Sequence, residues 1–356
     1  MDARLFTRQL TLTLSVLWAT GFAPAHAATT APQVPVASSM DAGLFYQLLL
    51  AEVSFNLNDP GTSYSLYLEA AKRQPDPDLY ERAVAIALQA KAGEPALQAA
   101  QAWLKTYPED AKAHWQHLNV LVGLQRNAEW APAVLAWWRT TEKNQKSAWL
   151  VQAPALMSRL FSPVQLVDVL QSTLAQAQGM PEHAALAWRV QATLLSASDQ
   201  TQSAQTSFAQ ALALSPNDPT LLYDYALNAE KLGQTELTER LLRQLIAAQP
   251  DHADALNALG YSLSNRNANL DEAQTLIERA LMLRPDNAYI LDSLGWLQFR
   301  KGALAQAQAT LEKAYALDAH PEIGSHLGEV YWVLQLQEQA LSVWQRVRER
   351  EADNAT

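Results

Sequence analysis

The chain has 356 residues and a formal net charge of −10 at pH 7, from 26 Lys and Arg against 36 Asp and Glu. This acidic balance disfavours nucleic acid as a partner, because nucleic-acid binding needs clustered basic residues that displace counterions. The sequence contains no cysteine, which excludes disulfides, thiolate metal sites, a cysteine nucleophile and a lipid on an N-terminal cysteine. The hydrophobic fraction of 49% and the charged fraction of 17% are typical of a folded protein.

Residues 1–27 are predicted to be a secretory signal peptide. Arg4 and Arg8 form a short basic start, an apolar run extends from Leu10 to Phe22, and Ala25-His26-Ala27 has the small residues of a cleavage site. The apolar run is shorter than the ~20 residues that cross a bilayer, so an uncleaved anchor is the less favoured alternative. We therefore expect cleavage after Ala27 and a periplasmic mature protein with neither a transmembrane segment nor a lipid anchor.

Residues 28–40 are Ala, Thr, Pro and Ser without periodicity, which predicts a flexible linker. From residue 41 onward a period of about 34 residues dominates. Small residues recur at spacings of 33 to 35 residues at Ala192, Ala226, Gly260, Gly295 and Gly328. A second small position is occupied by Ala204, Thr238, Ala273, Ala307 and Ala340, and a large apolar position four residues later by Phe208, Leu242, Ile277, Leu311 and Trp344.

The spacing within each unit predicts a pair of antiparallel helices. Leu256, Leu259 and Leu263 have the periodicity of one helical face. Small residues at the two recurring positions allow the paired helices to approach closely, and proline ends the second helix at Pro216, Pro250 and Pro285. A single pair cannot bury its own apolar face, so the units must stack.

Three segments resemble the tetratricopeptide repeat (TPR): Leu256-Asn257-Ala258-Leu259-Gly260-Tyr261, Leu291-Asp292-Ser293-Leu294-Gly295-Trp296 and His326-Leu327-Gly328-Glu329-Val330-Tyr331-Trp332. The resemblance implies an all-α TPR solenoid, a right-handed superhelix of about nine antiparallel helix pairs with a concave groove. Residues 182–352 are interpreted as a C-terminal TPR array, and residues 41–181 as degenerate TPR-like repeats.

The degenerate region keeps the period but loses regular small residues. Prolines at Pro75 and Pro108 fit the register, and the interval to Pro216 has room for three units. Pro132, Pro154 and Pro163 are predicted to lie at helix starts, where proline is tolerated. The region is rich in tryptophan, at Trp103, Trp115, Trp130, Trp137, Trp138 and Trp149. These rings are predicted to fill gaps between irregular units, and a contact surface is the alternative.

The resemblance also implies which residues line the groove. In the family, positions 2, 5, 9 and 12 of the first helix of each unit face it; we call these positions the inner face. The predicted protein-binding residues are Asn257, Tyr261, Tyr289, Asp292, Trp296, Phe299, Glu329 and Trp332. Aromatic rings beside hydrogen-bonding groups are typical of binding hot spots. The alternative is that the rings pack on the adjacent unit. Some TPR domains hold the C-terminal carboxylate of a peptide with a set of Lys, Arg and Asn side chains. In this sequence Arg189 is the one candidate cation at these positions, so such a carboxylate clamp is not expected.

No catalytic motif is recognisable in the sequence. It lacks Gly-x-Gly-x-x-Gly, a phosphate-binding loop, Gly-x-Ser-x-Gly and His-Glu-x-x-His. His114 and His117 have a possible metal-ligand spacing, but no third ligand is evident nearby. We predict that the protein is not an enzyme and holds no metal and no cofactor.

The predicted function is a non-enzymatic extracytoplasmic scaffold or adaptor that binds a protein or peptide in its groove. The C-terminal segments, together with Tyr46-Gln47-Leu48-Leu49-Leu50-Ala51-Glu52, are similar to exported TPR proteins of Gram-negative bacteria. That group includes outer-membrane lipoproteins that act as adaptors for periplasmic processing proteases, although this chain lacks a lipid-accepting cysteine. The alternative is a structural subunit of an envelope assembly, such as a pilus or polysaccharide-export complex.

Overall fold

A computed structural model describes residues 41–354, with side chains up to residue 350. The predicted signal peptide (residues 1–27) and linker (residues 28–40) lie outside the described residues. The chain divides into two units, residues 1–46 and residues 47–356. The contacts and sites that follow belong to the second unit.

The described residues form eighteen α-helices and no β-strand. In chain order the helices are α1 (Ala42–Asn56), α2 (Pro60–Arg73), α3 (Pro77–Gln89), α4 (Gly93–Thr106), α5 (Ala111–Gly123), α6 (Trp130–Thr140), α7 (Lys146–Met157), α8 (Pro163–Gln178), α9 (Ala184–Ala197), α10 (Thr201–Leu214), α11 (Pro219–Lys231), α12 (Thr235–Ala248), α13 (Ala253–Asn265), α14 (Leu270–Leu283), α15 (Ala288–Arg300), α16 (Leu304–Leu317), α17 (Pro321–Val333) and α18 (Gln337–Asn354). Short 3-10 turns at Asn127–Glu129 and Lys143–Gln145 precede α6 and α7.

The helices are stacked in sequential pairs from α9 to the C-terminus. Within each pair the two helices pack on each other, and the second helix packs on the first helix of the next pair. The apolar residues of α9 to α15 form a continuous core along the array, as expected when no single pair can bury its own face. The described residues form an all-α solenoid of stacked helix pairs, as in TPR folds, and the predicted fold class is confirmed. The handedness of the superhelix stays a prediction.

Recurring residues end the helices at the same place in each unit. Pro75, Pro108, Pro216, Pro250 and Pro285 each follow the end of a second helix by two residues, as predicted. A residue in the left-handed backbone region closes the first helix of eight units, at Asn58, Lys91, Gln125, Asp199, Gly233, Asn267, Gly302 and Gln335. This conformation is a common helix C-cap. The longer interval from Gln125 to Asp199 marks the unit that lacks it.

The recurring small residues are where paired helices approach most closely. All residues at the two small positions of the C-terminal array are buried. A Cβ atom added to Gly260 would lie 2.5 Å from Ile277 Cγ1 on the paired helix, and one added to Gly295 would lie 2.5 Å from Leu311 Cγ. Real Cβ atoms do not approach other carbon atoms this closely, so the two positions require glycine at the observed helix separation.

Helices α5–α8 depart from this regular stacking. Helix α6 packs directly on α8, and α7 contacts α9 instead of lying between its sequence neighbours. Pro132 lies in the first turn of α6 and Pro163 begins α8, as predicted. The prediction for Pro154 was wrong, because this residue lies inside α7, near its C-terminal end. Proline removes a backbone donor, and α7 ends three residues later at Met157.

Tryptophan side chains fill the space in this irregular segment. Trp137 and Trp138 of α6 lie 5.8 and 5.5 Å, ring centre to ring centre, from Trp149 of α7. The ring of His183, at the start of α9, lies 5.8 Å from Trp138. These three tryptophans and Trp103 are buried, which confirms the packing interpretation for them. Trp115 and Trp130 are partly buried.

Candidate functional site

The predicted groove residues lie on the first helices of the last three units. Each helix begins at a residue whose side chain accepts hydrogen bonds from the first turn: His252 for α13, Asn287 for α15 and His320 for α17. Helix α15 contacts both α13 and α17. Because these starts recur with the repeat, corresponding positions of the three helices face the same side.

A histidine–aspartate pair joins α15 and α17 beside the predicted groove residues. His326 Nδ1 of α17 is 2.9 Å from Asp292 Oδ1 and 3.0 Å from Asp292 Oδ2 of α15. Both side chains are buried. Burial of the imidazole opposes its protonation, but the hydrogen bond and charge of Asp292 outweigh burial, so the pKa of His326 is raised above its usual value. The pair is therefore a charge-assisted link between neighbouring units.

Aromatic rings enclose the pair. Trp296 stacks on His326 with ring centres 4.3 Å apart and an interplanar angle of 22°, and Phe299 lies 5.2 Å from Trp296. On the other side, Tyr261 of α13 lies 6.1 Å from His326. The Tyr261 hydroxyl donates to Glu322 Oε1 at 3.4 Å. Side chains of α13 and α17 thus meet across α15 on this side of the three helices.

The eight predicted groove residues fall into three classes of exposure. Asp292 and Trp296 are buried, and Trp296 is only 6% exposed. Asn257, Tyr261 and Phe299 are partly buried. Tyr289 and Trp332 are 46% and 45% exposed, and Glu329 is exposed. The packing alternative therefore describes Trp296, whereas Tyr289 and Trp332 remain accessible to a partner. The binding role of all eight stays a prediction.

The accessible rings have defined neighbours. Tyr289 packs edge-on against His320 with ring centres 5.4 Å apart, and Trp332 lies 5.8 Å from Trp344 of α18. Each ring is thus held on one side by the protein and exposed on the other. Rigid, half-exposed aromatic rings lose little conformational entropy on binding, which is why they are frequent in binding surfaces.

Two buried polar atoms at inner-face positions have no hydrogen-bond partner among the described residues: the indole nitrogen Nε1 of Trp296 and Oδ1 of Asn257. Buried donors and acceptors in proteins are nearly always paired. Unpaired groups beside a candidate binding surface are therefore positions where a ligand could complete the hydrogen bonding.

His326 was missed at the level of sequence, although it contacts the predicted residue Asp292. His326 lies 34 residues after Asp292, one repeat length, so the two side chains occupy nearly equivalent places in adjacent units. That spacing was a usable signal. Glu322 was placed on the inner face by its position in the repeat, but its contact with Tyr261, two units away, gave no signal in the sequence.

Of the pair His114 and His117, His114 is held by hydrogen bonds within the helical packing. His114 Nε2 lies 2.8 Å from the Pro108 carbonyl oxygen and 2.9 Å from the Thr140 hydroxyl. Burial lowers the pKa of both histidines. Across residues 41–350 there is no group of three or more His, Asp or Glu side chains placed to hold a metal ion. In the same part of the chain, no helix combines the length and apolar character needed to cross a membrane.

No protein-family model matches the chain. The chain is 39% identical over 164 residues to the TPR repeat-containing protein PA4667 of Pseudomonas aeruginosa, a match that covers 46% of this chain and 28% of that protein. It is 34% identical over 112 residues to tetratricopeptide repeat protein 21A of Mus musculus, covering 32% of this chain and 8% of that protein. The chain therefore spans less than a third of the length of either relative.

Among solved structures, the chain is similar to TTC0263, a thermophilic TPR protein of Thermus thermophilus, with 27% identity and a TM-score of 0.43 over 47% of this chain and 91% of that chain. The names of the two sequence relatives and the stacked helix pairs support the tetratricopeptide repeat class for this protein. Proteins of this class are generally non-catalytic scaffolds for protein interaction.

Proposed function

We propose that the protein is a non-enzymatic scaffold that binds a protein or peptide partner on the inner face of its C-terminal array. The observation that carries this proposal is the pair of half-exposed rings, Tyr289 and Trp332, fixed on successive first helices. Their surroundings are hydrogen-bonding and charged groups, which together with aromatic rings form the usual anchors of protein interfaces.

The geometry of the most conspicuous polar cluster favours a structural role over catalysis. In an acyl-transfer triad, the histidine nitrogen remote from the carboxylate holds a nucleophilic hydroxyl. His326 uses Nδ1 for Asp292, and in the described part of the chain no serine or threonine hydroxyl is hydrogen-bonded to its other nitrogen. Trp296 stacks on the face of this ring. The pair is therefore suited to joining α15 and α17.

We further propose that the protein acts outside the cytoplasm, as an adaptor that presents substrates to a periplasmic processing protease. The support is the leader-like character of residues 1–27 and the resemblance of residues 43–345 to exported TPR proteins. The alternative, a subunit of an envelope assembly, pilus or polysaccharide-export complex, uses the same face with another partner. Recovery of a protease by affinity purification from periplasm supports the adaptor, and recovery of secretion or export subunits supports the alternative.

Site-directed photocrosslinking tests whether the inner face binds. A photoreactive phenylalanine analogue is placed at Tyr289 or at Trp332, and as a control at Leu317, an exposed apolar residue at the end of a second helix. We expect specific adducts at the two inner-face positions and none at Leu317. Trp332→Ala should reduce the adducts formed at Tyr289 without changing helicity. Equal labelling at all three positions would contradict the proposal.

A further inference from the structure

Most ion pairs of the C-terminal array join residues outside the inner-face positions. Arg243 of α12 binds Glu239 of the same helix at 2.8 Å and Glu272 of α14 at 2.6 Å. The series continues through second helices and inter-helix turns, in the pairs Arg266–Glu239, Arg279–Asp251, Lys301–Asp271 and Lys313–Asp286. We call this set the outer ladder. It takes up five of the thirteen Lys and Arg side chains of residues 182–352.

The inner face has the opposite balance. Over the five units of the array it carries five carboxylates, Glu230, Asp254, Asp292, Glu322 and Glu329, and one basic residue, Arg189. Arg284 neutralises Asp254 at 2.7 Å, and His326 is paired with Asp292. Within the described residues, Glu230, Glu322 and Glu329 form no ion pair with any Lys or Arg. Three inner-face carboxylates therefore have no salt-bridge partner in the described part of the array, against one basic residue, Arg189, at an inner-face position.

Carboxylates lie close enough to two tyrosines of this face to oppose ionisation of the phenol, although burial is the larger cause of their raised pKa. Burial raises the pKa of Tyr223, and the charges of Asp254 and Asp224 add to that increase. Burial and the nearby Glu322 and Asp292 carboxylates likewise raise the pKa of Tyr261. A phenol whose ionisation is opposed by several carboxylates lies in a region that attracts cations.

Aromatic rings lie among the free carboxylates. Tyr289 and Trp332 are half-exposed on the same two helices, α15 and α17, that carry the Asp292–His326 pair, and α17 also carries Glu322 and Glu329. A Lys or Arg side chain can place its methylene groups and charge against such a ring while its head reaches a carboxylate. The indole N–H of Trp296 has no hydrogen-bond acceptor among the described residues. A carbonyl oxygen of a bound peptide could serve as that acceptor.

We propose that the inner face of α11–α17 binds a partner segment rich in Lys or Arg, with Glu322 and Glu329 receiving its cationic heads and Tyr289 and Trp332 contacting its side-chain stems. This inference rests on the proposed scaffold function and names the chemistry of the partner. An anionic lipid surface or a nucleic acid would be repelled by the same carboxylates, so the occupant is a basic polypeptide.

The test uses two fluorescein-labelled 12-residue peptides, one alternating Lys with Ala and one alternating Glu with Ala. Their binding to the full chain is followed by fluorescence anisotropy. We expect the Lys peptide to bind with an affinity that falls as salt is raised, and the Glu peptide not to bind. Glu322→Gln combined with Glu329→Gln should lower the affinity for the Lys peptide by about fivefold, because two exposed charge contacts are removed.

The matched control is Glu236→Gln combined with Glu278→Gln, which removes the same charge from exposed positions on second helices. This control should leave the affinity for the Lys peptide within about twofold of the wild-type value, because salt screens the interaction between exposed charges that lie more than ~10 Å apart. An equal loss in the two variants, or equal binding of the Glu peptide, overturns the proposal. If photocrosslinks at Tyr289 persist while the Lys peptide fails to bind, the basic chemistry is wrong and the scaffold function stands. If crosslinks at the inner face do not exceed those at Leu317, the scaffold function itself fails.

Discussion

Helices α5–α8 depart from the regular pairwise stacking of helices α9–α18, and the two regions fill the space between helices with different side chains. In the C-terminal array, Gly and Ala at fixed positions let backbones approach, and medium-sized apolar residues such as Ile277 and Leu311 pack over them. In the irregular segment, Trp137, Trp138 and Trp149 occupy the wider gaps around α7. Helix spacing in a solenoid can thus be set by small residues at close contact or by large rings across a gap.

The two strategies should respond to opposite kinds of substitution. A region spaced by large rings is sensitive to truncation, because the surrounding helices cannot collapse into the space left behind. A region spaced by glycine is sensitive to enlargement, because the added atoms have no room. The following substitutions test this contrast in order of expected effect.

The largest effect is expected from truncation in the irregular segment. Trp138→Ala removes a ring that is 1% exposed and should cost about 3–5 kcal/mol of unfolding free energy. Urea denaturation followed by circular dichroism measures the loss, and hydrogen exchange should localise it to α6–α9. As a control, Trp332→Ala removes a half-exposed ring and should cost much less. Similar losses of unfolding free energy for Trp138→Ala and Trp332→Ala would contradict the idea that buried rings set the helix spacing in the irregular segment.

Enlargement should be the more harmful change in the regular array. Gly260→Leu forces atoms into the position of Ile277 and should destabilise the array by about 1–3 kcal/mol. The matched control is Gly123→Leu, at an exposed helical position of α5 where an added Cβ has nothing within 4 Å. The control should be neutral or slightly stabilising, because leucine is the better helix former. An unchanged melting temperature for Gly260→Leu would show that the register of the array is assigned incorrectly.

A smaller, pH-dependent effect is expected at the link between α15 and α17. The pKa of His326 is raised in the folded state above the ~6.5 of an unfolded chain. Its pairing with Asp292 therefore stabilises the fold fully below pH ~6.5 and loses this contribution as pH rises through the folded-state pKa. His326→Gln should cost about 1.5 kcal/mol at low pH and less toward pH ~8.5. Urea titrations across this range would contradict the pairing if the cost did not change with pH.

The smallest effect is expected in the outer ladder. Arg243→Ala removes contacts with two carboxylates on a side chain that is 45% exposed, and it should cost about 0.5–1 kcal/mol. Because salt screens exposed charges, the difference from wild type should shrink between about 0.05 M and about 1 M NaCl. Thermal melts at the two salt concentrations provide the measurement. A cost that does not depend on salt would mean that Arg243 acts through packing of its methylene groups.

Much of the fold could be predicted because each signal repeats within a helix or between adjacent helices. The prolines, the small positions and the helical apolar spacing are local, and each recurs in several units. Pro154 shows where local reasoning failed: proline is usual at a helix start, but here it lies within α7 because a short helix near its end tolerates the missing donor. The packing of α6 on α8 leaves no comparable local pattern.

For the candidate site, the sequence indicated which helix face to inspect but not which residues remain exposed on it. The repeat determined the helix pairs and the close contacts at Gly260 and Gly295, and it predicts which side of each first helix lines the groove. Only the tertiary structure decided that Trp296 is covered while Tyr289 and Trp332 are open. The physical reason is that the burial of a side chain in a stack of helix pairs depends on contacts with side chains of other units, such as His326 and Tyr261. The sequence of a single helix does not specify those contacts.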